Sequence, residues 1–258
     1  MLKGCSIASG SKGNCLYVGS AQANILVDAG VDLKRIEKSL IVLGANAKKL
    51  DGVLISHTHS DHVAGLAALC NKYGMPVYCH QNIAAQVYKL IEKTSSKIIE
   101  FDNPFYVQDI AVNPFPVQHD VPCVGYSFVS HTKQLSIATD MGKYTPIVIE
   151  SIEGSDLIFV ESNYDIDMLR NGSYPAFLKN RVASDFGHLS NDDCGDLIAK
   201  LSQKGTRQFV LSHLSQNNNY PELAYSIVNS RLLACGIDEE EVKVDIALQD
   251  RLSNLYQI

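Results

Sequence analysis

Six consecutive residues, His57-Thr58-His59-Ser60-Asp61-His62, constrain this chain more than any other stretch. Three imidazoles and one carboxylate sit between two apolar runs. Upstream, Gly52-Val53-Leu54-Ile55-Ser56 reads as a buried strand. Downstream, Val63-Ala64-Gly65-Leu66-Ala67-Ala68-Leu69 reads as the start of a packed helix. The cluster therefore lies on a loop that leaves a strand end and enters a helix, where α/β folds place chemistry. Neutral imidazole and carboxylate are the ligands that Zn²⁺ and similar divalent ions take. The donors are spaced too densely for an ordinary polar loop.

The remaining periodicity predicts an α/β (α+β) fold. Leu2 to Ala8, Cys15 to Val18 and Asn24 to Val27 read as adjacent antiparallel strands separated by Gly/Ser turns. Leu33, Ile36, Leu40 and Leu43 recur at helical spacing up to Gly44. Beyond the cluster come a helix over about 62–73, a strand at 76–79 and a helix over about 82–93. Strands return at 98–99, 106–107, 110–115, 125–129 and 134–139. Helices near 145–152, 165–170, 175–182, 191–203 and 221–235 then alternate with strands at 157–160, 209–211 and 242–248. A mixed β-meander followed by helices thus appears twice, with a boundary near residue 105 and no Pro/Gly/Ser linker. The expectation is one domain over 1–258 made of two similar halves, about 1–104 and 105–258, with two sheets face to face and helices outside.

Composition narrows the setting. Apolar residues make up 46% of the chain, enough for a sizeable core without disulfide staples. The seven cysteines form no CxxC pair, and most lie in apolar runs as small core residues. With no secretory pattern in the opening residues, a reducing cytoplasm is expected. No apolar stretch approaches the ~20 residues that a membrane span needs. A net charge of −6 argues against a non-specific duplex-gripping scaffold, which usually carries a basic surface. It does not argue against an enzyme that takes a strand end into a cleft made locally positive by bound cations.

A dinuclear site needs more ligands than the cluster holds, and three polar residues end apolar runs downstream. His119 follows Val112 to Gln118 and precedes Asp120, Asp140 ends Leu135 to Thr139, and His213 ends Phe209 to Ser212. Each alone is equally an ordinary strand-end polar residue.

With these residues in order, the chain resembles the metallo-β-lactamase-fold hydrolases. His57-x-His59-x-Asp61-His62, His119, Asp140 and His213 look like that superfamily's motif set, and Asp28 in Ile25-Leu26-Val27-Asp28-Ala29-Gly30 fits its first motif. The resemblance runs from residue 2 to about 248 and implies a four-layer αβ/βα sandwich with metals at one edge of the sheets. A narrower likeness is to the WalJ/YycJ branch, cytoplasmic bacterial proteins similar to RNase Z and to phosphonate-pathway cyclic phosphodiesterases. It rests on Cys5 to Asn14, His119 to Tyr126, Gly187-His188-Leu189-Ser190-Asn191 and Ser212 to Asn218. Tyr164 departs from some relatives, which carry His there. The branch implies 5′→3′ exonuclease activity on DNA ends and a part in DNA repair.

By the same resemblance, His57, His59 and His119 would hold one metal and Asp61, His62 and His213 a second, with Asp140 bridging them. A shared carboxylate and hydroxide offset the repulsion of two cations ~3.5–4 Å apart, and bound water falls to a pKa near 7. Asp61 would also orient that nucleophile. Asp28 is expected to orient a ligand such as His57 or His59 rather than to touch metal. The donor set suits Zn²⁺ or Mn²⁺ and admits Fe²⁺.

Three further features bear on substrate. His188 lies just before a helix-start signal, and a histidine there suits protonation of a leaving oxygen. Glu161, ending the strand at 157–160, could orient it; an ordinary loop histidine and surface glutamate remain the plainer reading. Ser9, Ser11, Lys12 and Asn14 lie in a Gly/Ser loop that lacks the Walker pattern and precedes a strand, so it is no P-loop. Its amides and Lys12 could contact substrate phosphate, or it could be an ordinary turn. His80 and His131 match no motif and read as structural.

These features predict a two-metal phosphodiesterase, with DNA ends as substrate. The alternative is a small-molecule hydrolase acting on a cyclic phosphodiester or a thioester. An oxygen-reducing di-iron protein of this fold typically carries glutamate where His59 stands, and a non-catalytic module would lack a ligand position. The seventy or so residues between Asp140 and His213 leave no room for the inserted domain of RNA-processing members, and no tRNA-gripping arm is visible.

Overall fold

Short apolar runs separated by glycine-containing turns open the chain as three strands, β1 (Lys3–Ala8), β2 (Cys15–Gly19) and β3 (Asn24–Val27). They pair antiparallel, with Cys5 opposite Tyr17 and Tyr17 opposite Leu26. Helix α1 (Leu33–Val42) follows. The Asp32 carboxylate accepts the Arg35 N–H to cap its start, and Gly44, at φ 72°, turns the chain out at its end. Strand β4 (Gly52–Ile55) is buried throughout and pairs parallel with β3, as a strand covered on both faces does.

The single helix expected at 62–73 is two pieces, α2 (Ser60–Val63) and α3 (Leu66–Tyr73). The break falls at Gly65, which lies against the preceding loop's backbone: a Cβ there would stand 2.0 Å from the Val31 carbonyl oxygen. Strand β5 (Val77–His80), helix α4 (Ala84–Ile91) and strand β6 (Ile98–Phe101) extend the parallel ladder β3-β4-β5-β6.

The second series comprises β7 (Phe105–Val107), β8 (Ile110–Val117), β9 (Cys123–Ser130) and β10 (Lys133–Ala138). Then come α5 (Pro146–Ile152), β11 (Leu157–Glu161), α6 (Ile166–Asn171), α7 (Ala176–Val182), α8 (Asn191–Gln203), β12 (Gln208–Ser212), α9 (Pro221–Ala234), β13 (Lys243–Ile246) and β14 (Tyr256–Gln257). In this computed structural model, residues 1–238 and 240–258 are described. Two seven-stranded sheets result, ordered β14-β1-β2-β3-β4-β5-β6 and β13-β12-β11-β10-β9-β8-β7. Strands β10 to β13 form a parallel ladder like that of β3 to β6. Strand β14 went unforeseen because two residues carry no periodicity; it pairs antiparallel with Lys3 and Gly4 of β1.

The chain forms two compact units, one of residues 1–114, 128–133 and 249–258, the other of 115–127 and 134–248. In the first, Ile36 and Leu40 of α1, Leu66 and Leu69 of α3 and Val87 of α4 join Leu26, Val53, Ile55 and Val77 in one apolar cluster. In the second, Val148 and Ile152 of α5, Leu197 and Leu201 of α8 and Val228 and Leu232 of α9 join Ile158, Val160, Phe209 and Leu211. Among the described residues no helix is long and apolar enough to cross a membrane. Six cysteines are buried as small core residues, and Cys235, just past α9, is exposed. Burial raises the Cys79 thiol to about 12, with Glu100 adding to the rise.

Two predictions follow from this packing. A thiol reagent such as dithionitrobenzoate labels one cysteine rapidly in the native protein and all seven after denaturation, and Cys235→Ser removes the rapid phase. Gly30→Ala places a Cβ 1.7 Å from the Asp61 carbonyl oxygen. Denaturant titration should show a loss of about 3 kcal/mol, because backbone has to move to make room.

Candidate metal centre

In the first unit the cluster rests on the ends of β3 and β4. Asp28 follows β3 in the left-handed region, at φ 61°. Its backbone N–H donates to the Leu54 carbonyl, and the next amide, Ala29, donates to the His62 carbonyl. This turn aims the carboxylate at the loop after β4. Asp28 Oδ1 accepts the Ser56 N–H at 2.9 Å. Its Oδ2 accepts the Ser56 hydroxyl at 2.8 Å and lies 2.7 Å from His62 Nδ1. The expected partners of Asp28 were His57 or His59; the direct partner is His62, because α2 turns that residue back toward β3. His57 is reached through Ser56, whose Oγ stands 3.0 Å from His57 Nδ1. Since the hydroxyl proton goes to Asp28, Ser56 Oγ accepts from His57 Nδ1–H. Both imidazoles then present Nε2 as the lone-pair end. The His57 ring centroid lies 4.7 Å from that of His59 and 4.1 Å from that of His62. His57 and His62 are buried, and Asp61 and His59 are partly so.

Asn14 belongs to this half as well. Its amide Nδ2 lies 3.1 Å from Asp61 Oδ2, 2.9 Å from His62 Nε2 and 3.1 Å from the Gly10 carbonyl. Its Oδ1 accepts the Gly10 N–H at 2.8 Å. The Asn14 backbone N–H donates to the Asp61 carbonyl, and Gly30 N–H to the Asn14 carbonyl. Gln249 closes the loop from the C-terminal segment, accepting from Lys12 N–H at 2.8 Å and donating to the Gly13 carbonyl at 2.9 Å. Of the loop residues expected to meet substrate, Ser11 and Lys12 are exposed, Ser9 is buried, and Asn14 is committed to Asp61 and His62.

The second unit builds a comparable cluster around Glu161, the buried last residue of β11. Its Oε1 accepts from His188 Nδ1 at 2.8 Å and from His213 Nδ1 at 2.9 Å. Its Oε2 accepts the Met141 N–H at 2.8 Å and lies 3.4 Å from the Leu189 amide nitrogen. Burial alone would push this carboxyl up; the charges and hydrogen bonds of His188 and His213 outweigh it and hold the group below its ordinary value. Asp140 Oδ1 lies 3.4 Å from His213 Nδ1 and 4.0 Å from His188 Nδ1. Donor atoms of Asp140, Glu161, His188 and His213 all fall within 4.8 Å of one another. With both oxygens of Glu161 taken by N–H groups, it reads as the orienting group of that set rather than as a ligand.

His119 Nδ1 lies 3.2 Å from the Gly187 carbonyl, which can only accept, so Nδ1 carries the proton. Burial lowers the His119 pKa, with Asp140 and Glu161 pulling the other way, so the neutral ring prevails. Its Nε2 then faces Asp120 Oδ1 at 3.3 Å, two acceptors side by side. Asp140 and His213 stand in left-handed backbone at φ 59° and 57°. Asn163 donates to the His213 carbonyl at 2.7 Å and accepts the Ser215 N–H with its own carbonyl, pinning that turn.

The donor set fits divalent metal. His57, His62, His119 and His213 each have Nδ1 tied to a hydroxyl, carboxylate or carbonyl, which fixes the tautomer with Nε2 as donor, the arrangement that metal-ligating histidines show. His80, between Asn82 N–H and Asp102, caps a turn; His131, at φ 55°, sits in the β9–β10 turn. Tyr164 is buried, and burial raises its phenol to about 12. Ser56, Asn163, the Gly187 carbonyl and Gln249 were missed by sequence reading. Only Ser56 left a signal there, a hydroxyl adjoining the first histidine of the cluster.

Residues 23–214 match the Beta-lactamase superfamily domain. The chain is 35% identical over 242 residues to the exodeoxyribonuclease WalJ of Streptococcus pneumoniae, covering 90% of each chain. It is 36% identical over 230 residues to the exodeoxyribonuclease YycJ of Bacillus anthracis, covering 88% of this chain and 87% of that one. Among solved structures, the metallo-β-lactamase fold protein YhfI of Bacillus subtilis superposes with a TM-score of 0.74 at 21% identity, over 98% of this chain and all of the other. Glu161 with its two imidazoles, the Asp28-Ser56-His57/His62 relay and these likenesses all lead to one assignment: the chain belongs to the metallo-β-lactamase superfamily of hydrolases, in the branch of WalJ and YycJ.

Proposed function

We propose that this protein is a two-metal phosphodiesterase that removes nucleotides from DNA ends in the 5′→3′ direction, in the cytoplasm and in the service of DNA repair. The observation that carries the reading is His188, held through Nδ1 by buried Glu161 at 2.8 Å and itself only partly buried. A ring anchored in this way has Nε2 free to deliver a proton outward, and phosphodiester cleavage needs a proton on the leaving oxygen. The WalJ and YycJ relatives, both exodeoxyribonucleases by name, support the substrate class.

In this proposal His57, His59 and His119 would hold one ion and Asp61, His62 and His213 the other, with Asp140 available to both. Zn²⁺ and Mn²⁺ both suit the mixed imidazole–carboxylate set, and Fe²⁺ is compatible with it. Bound ions would supply Lewis acidity and an activated water at neutral pH. The chain's own groups do the rest. Asp28, through Ser56 and directly, fixes the rings of His57 and His62. Asp61, steadied by Asn14, orients the attacking water and accepts its proton. Glu161 stabilises the imidazolium form of His188 before transfer and reorients it afterwards. The loop that carries Ser9 and Ser11 would meet substrate phosphate chiefly through the Lys12 ammonium, the exposed cation of that loop.

Three variants test these roles, with metal content read alongside hydrolysis. Asp61→Ala should abolish cleavage of end-labelled single-stranded DNA while leaving the circular-dichroism melt intact. His188→Ala should lower kcat by about 10²- to 10⁴-fold, the usual worth of general acid catalysis, with metal stoichiometry unchanged. Loss of metal in that variant would make His188 a ligand and sink the assignment. Asn14→Ala should weaken metal affinity by about 10- to 100-fold, as loss of an orienting partner does, while KM for DNA stays near that of the parent at saturating metal. A thioester turned over by the parent protein with no DNA cleaved would establish the small-molecule reading instead.

A further inference from the structure

Beneath the N-terminal half of α1, a cavity of about 490 Å³ opens in the first unit between that helix and the C-terminal segment. Lys34, Arg35 and Lys38 line it from the helix, and Arg251 lines it from the other side. Two carboxylates share the lining, Asp32 and Asp250. Asp32 is already spent on the Arg35 N–H as the cap of α1. Among the described residues none of the four cations forms an ion pair with a carboxylate. Arg35 donates instead to the Ile7 carbonyl at 2.7 Å. By contrast, every arginine of the second unit is engaged: Arg170, Arg181 and Arg231 by aspartates and Arg207 by carbonyls. An acidic chain of net charge −6 thus keeps three cations, Lys34, Lys38 and Arg251, without an ion pair around one open hollow.

The hollow is joined to the metal-ligand cluster by a short physical path. Arg251 lies two residues beyond Gln249, a step of at most about 7 Å. Gln249 grips Lys12 and Gly13, and the same loop ends at Asn14, whose amide touches Asp61 and His62. Arg251 at the hollow and Lys12 on the ligand loop are thus tied together through Gln249, all within the first unit. Phosphates along a nucleic-acid strand repeat at regular intervals, and cations spaced along a path are what they bind. We infer that Lys34, Lys38 and Arg251 form a backbone-phosphate anchor for the part of a single nucleic-acid strand that lies away from the scissile bond. The inference rests on the phosphodiesterase reading above and adds to it a binding site remote from the ligands. A strand end held there enters the cleft by its length rather than by its sequence, so cleavage is sequence-tolerant.

The test is equilibrium binding of a labelled single-stranded 12-mer in chelator, which prevents hydrolysis, across a series of salt concentrations. Each phosphate contact on a single strand contributes about 0.7 to the slope of log affinity against log salt. The triple variant Lys34→Gln/Lys38→Gln/Arg251→Gln should flatten that slope by about 2, while metal-loaded turnover of bis(p-nitrophenyl) phosphate stays at the parent rate. The exposed pair Lys89→Gln on α4 and Lys93→Gln just past it serves as a control and should leave the slope unchanged. An unchanged slope in the triple variant, or an equal change in the control, overturns the anchor while leaving the phosphodiesterase reading standing. Competition by thymidine monophosphate as strong as that by the 12-mer also overturns it, since the hollow would then be a mononucleotide site. A parent protein that turns over the aryl phosphodiester but neither binds nor cuts DNA removes the nuclease reading and the anchor together.

Discussion

Buried carboxylates that hold pairs of imidazoles are the interaction on which the rest of this structure depends. Asp28 in the first unit and Glu161 in the second each end a strand of a parallel ladder, and each addresses two histidines. Asp28 holds His62 directly and His57 through Ser56; Glu161 holds His188 and His213 directly. A carboxylate taken out of water costs several kcal/mol unless its lone pairs are filled. Asp28 accepts from the Ser56 amide, the Ser56 hydroxyl and His62, and Glu161 accepts from Met141 and from both rings. Each such charge-assisted bond returns about 1.5–3 kcal/mol. The arrangement therefore sustains itself without metal, and it presets the ring tautomers that metal binding requires.

The backbone makes this possible at a cost. Asp28, Asp140 and His213 each follow a strand and each adopt a left-handed conformation that non-glycine residues avoid, at about 1–2 kcal/mol apiece. Glycine would relieve that strain and remove the donor, so the strain persists because the side chain is needed. Neighbouring groups hold the turns in place: the Leu54 and His62 carbonyls receive the amides at Asp28 and Ala29, and Asn163 grips the carbonyl of His213. The two units arrive at the same device from unrelated local sequences. The recurring element is the parallel ladder, whose strands end on one side and deliver their next residues there.

How much of this could be read from sequence depended on range. The six-residue cluster, Asp28 and the strand-end residues His119, Asp140 and His213 stood out because strand periodicity and residue type suffice to place them. The Glu161–His188 pair was also legible, since one ends an apolar run and the other precedes a helix start. What stayed hidden depends on chain segments meeting. The Gly187 carbonyl under His119 carries no residue identity. The role of Asn14 follows from a loop closed by Gln249, far away in sequence, and a Gly/Ser loop seen alone reads as readily as a phosphate cradle. The break between α2 and α3 follows from Gly65 lying against the Val31 backbone, a contact that helical spacing does not encode. Strand β14 is too short to carry a pattern at all.

The acidic net charge takes on a different meaning once charges are placed. Summed over the chain it argues against binding a polyanion, yet a nucleic-acid strand senses charge only within about 8–10 Å at physiological salt. Within that range the carboxylates of the first half-site are occupied: Asp28 by Ser56 and His62, and Asp61 by Asn14. Lys12, Lys34, Lys38 and Arg251 lie at or beside the loop and hollow leading to that half-site. Some acidic residues are matched to lysines and arginines elsewhere, as Glu37 is to Lys72, Asp120 to Arg181 and Asp192 to Arg231. Net charge keeps such a protein from coating duplexes indiscriminately. Local charge, rather than the total, then decides what a given part of the surface can accept.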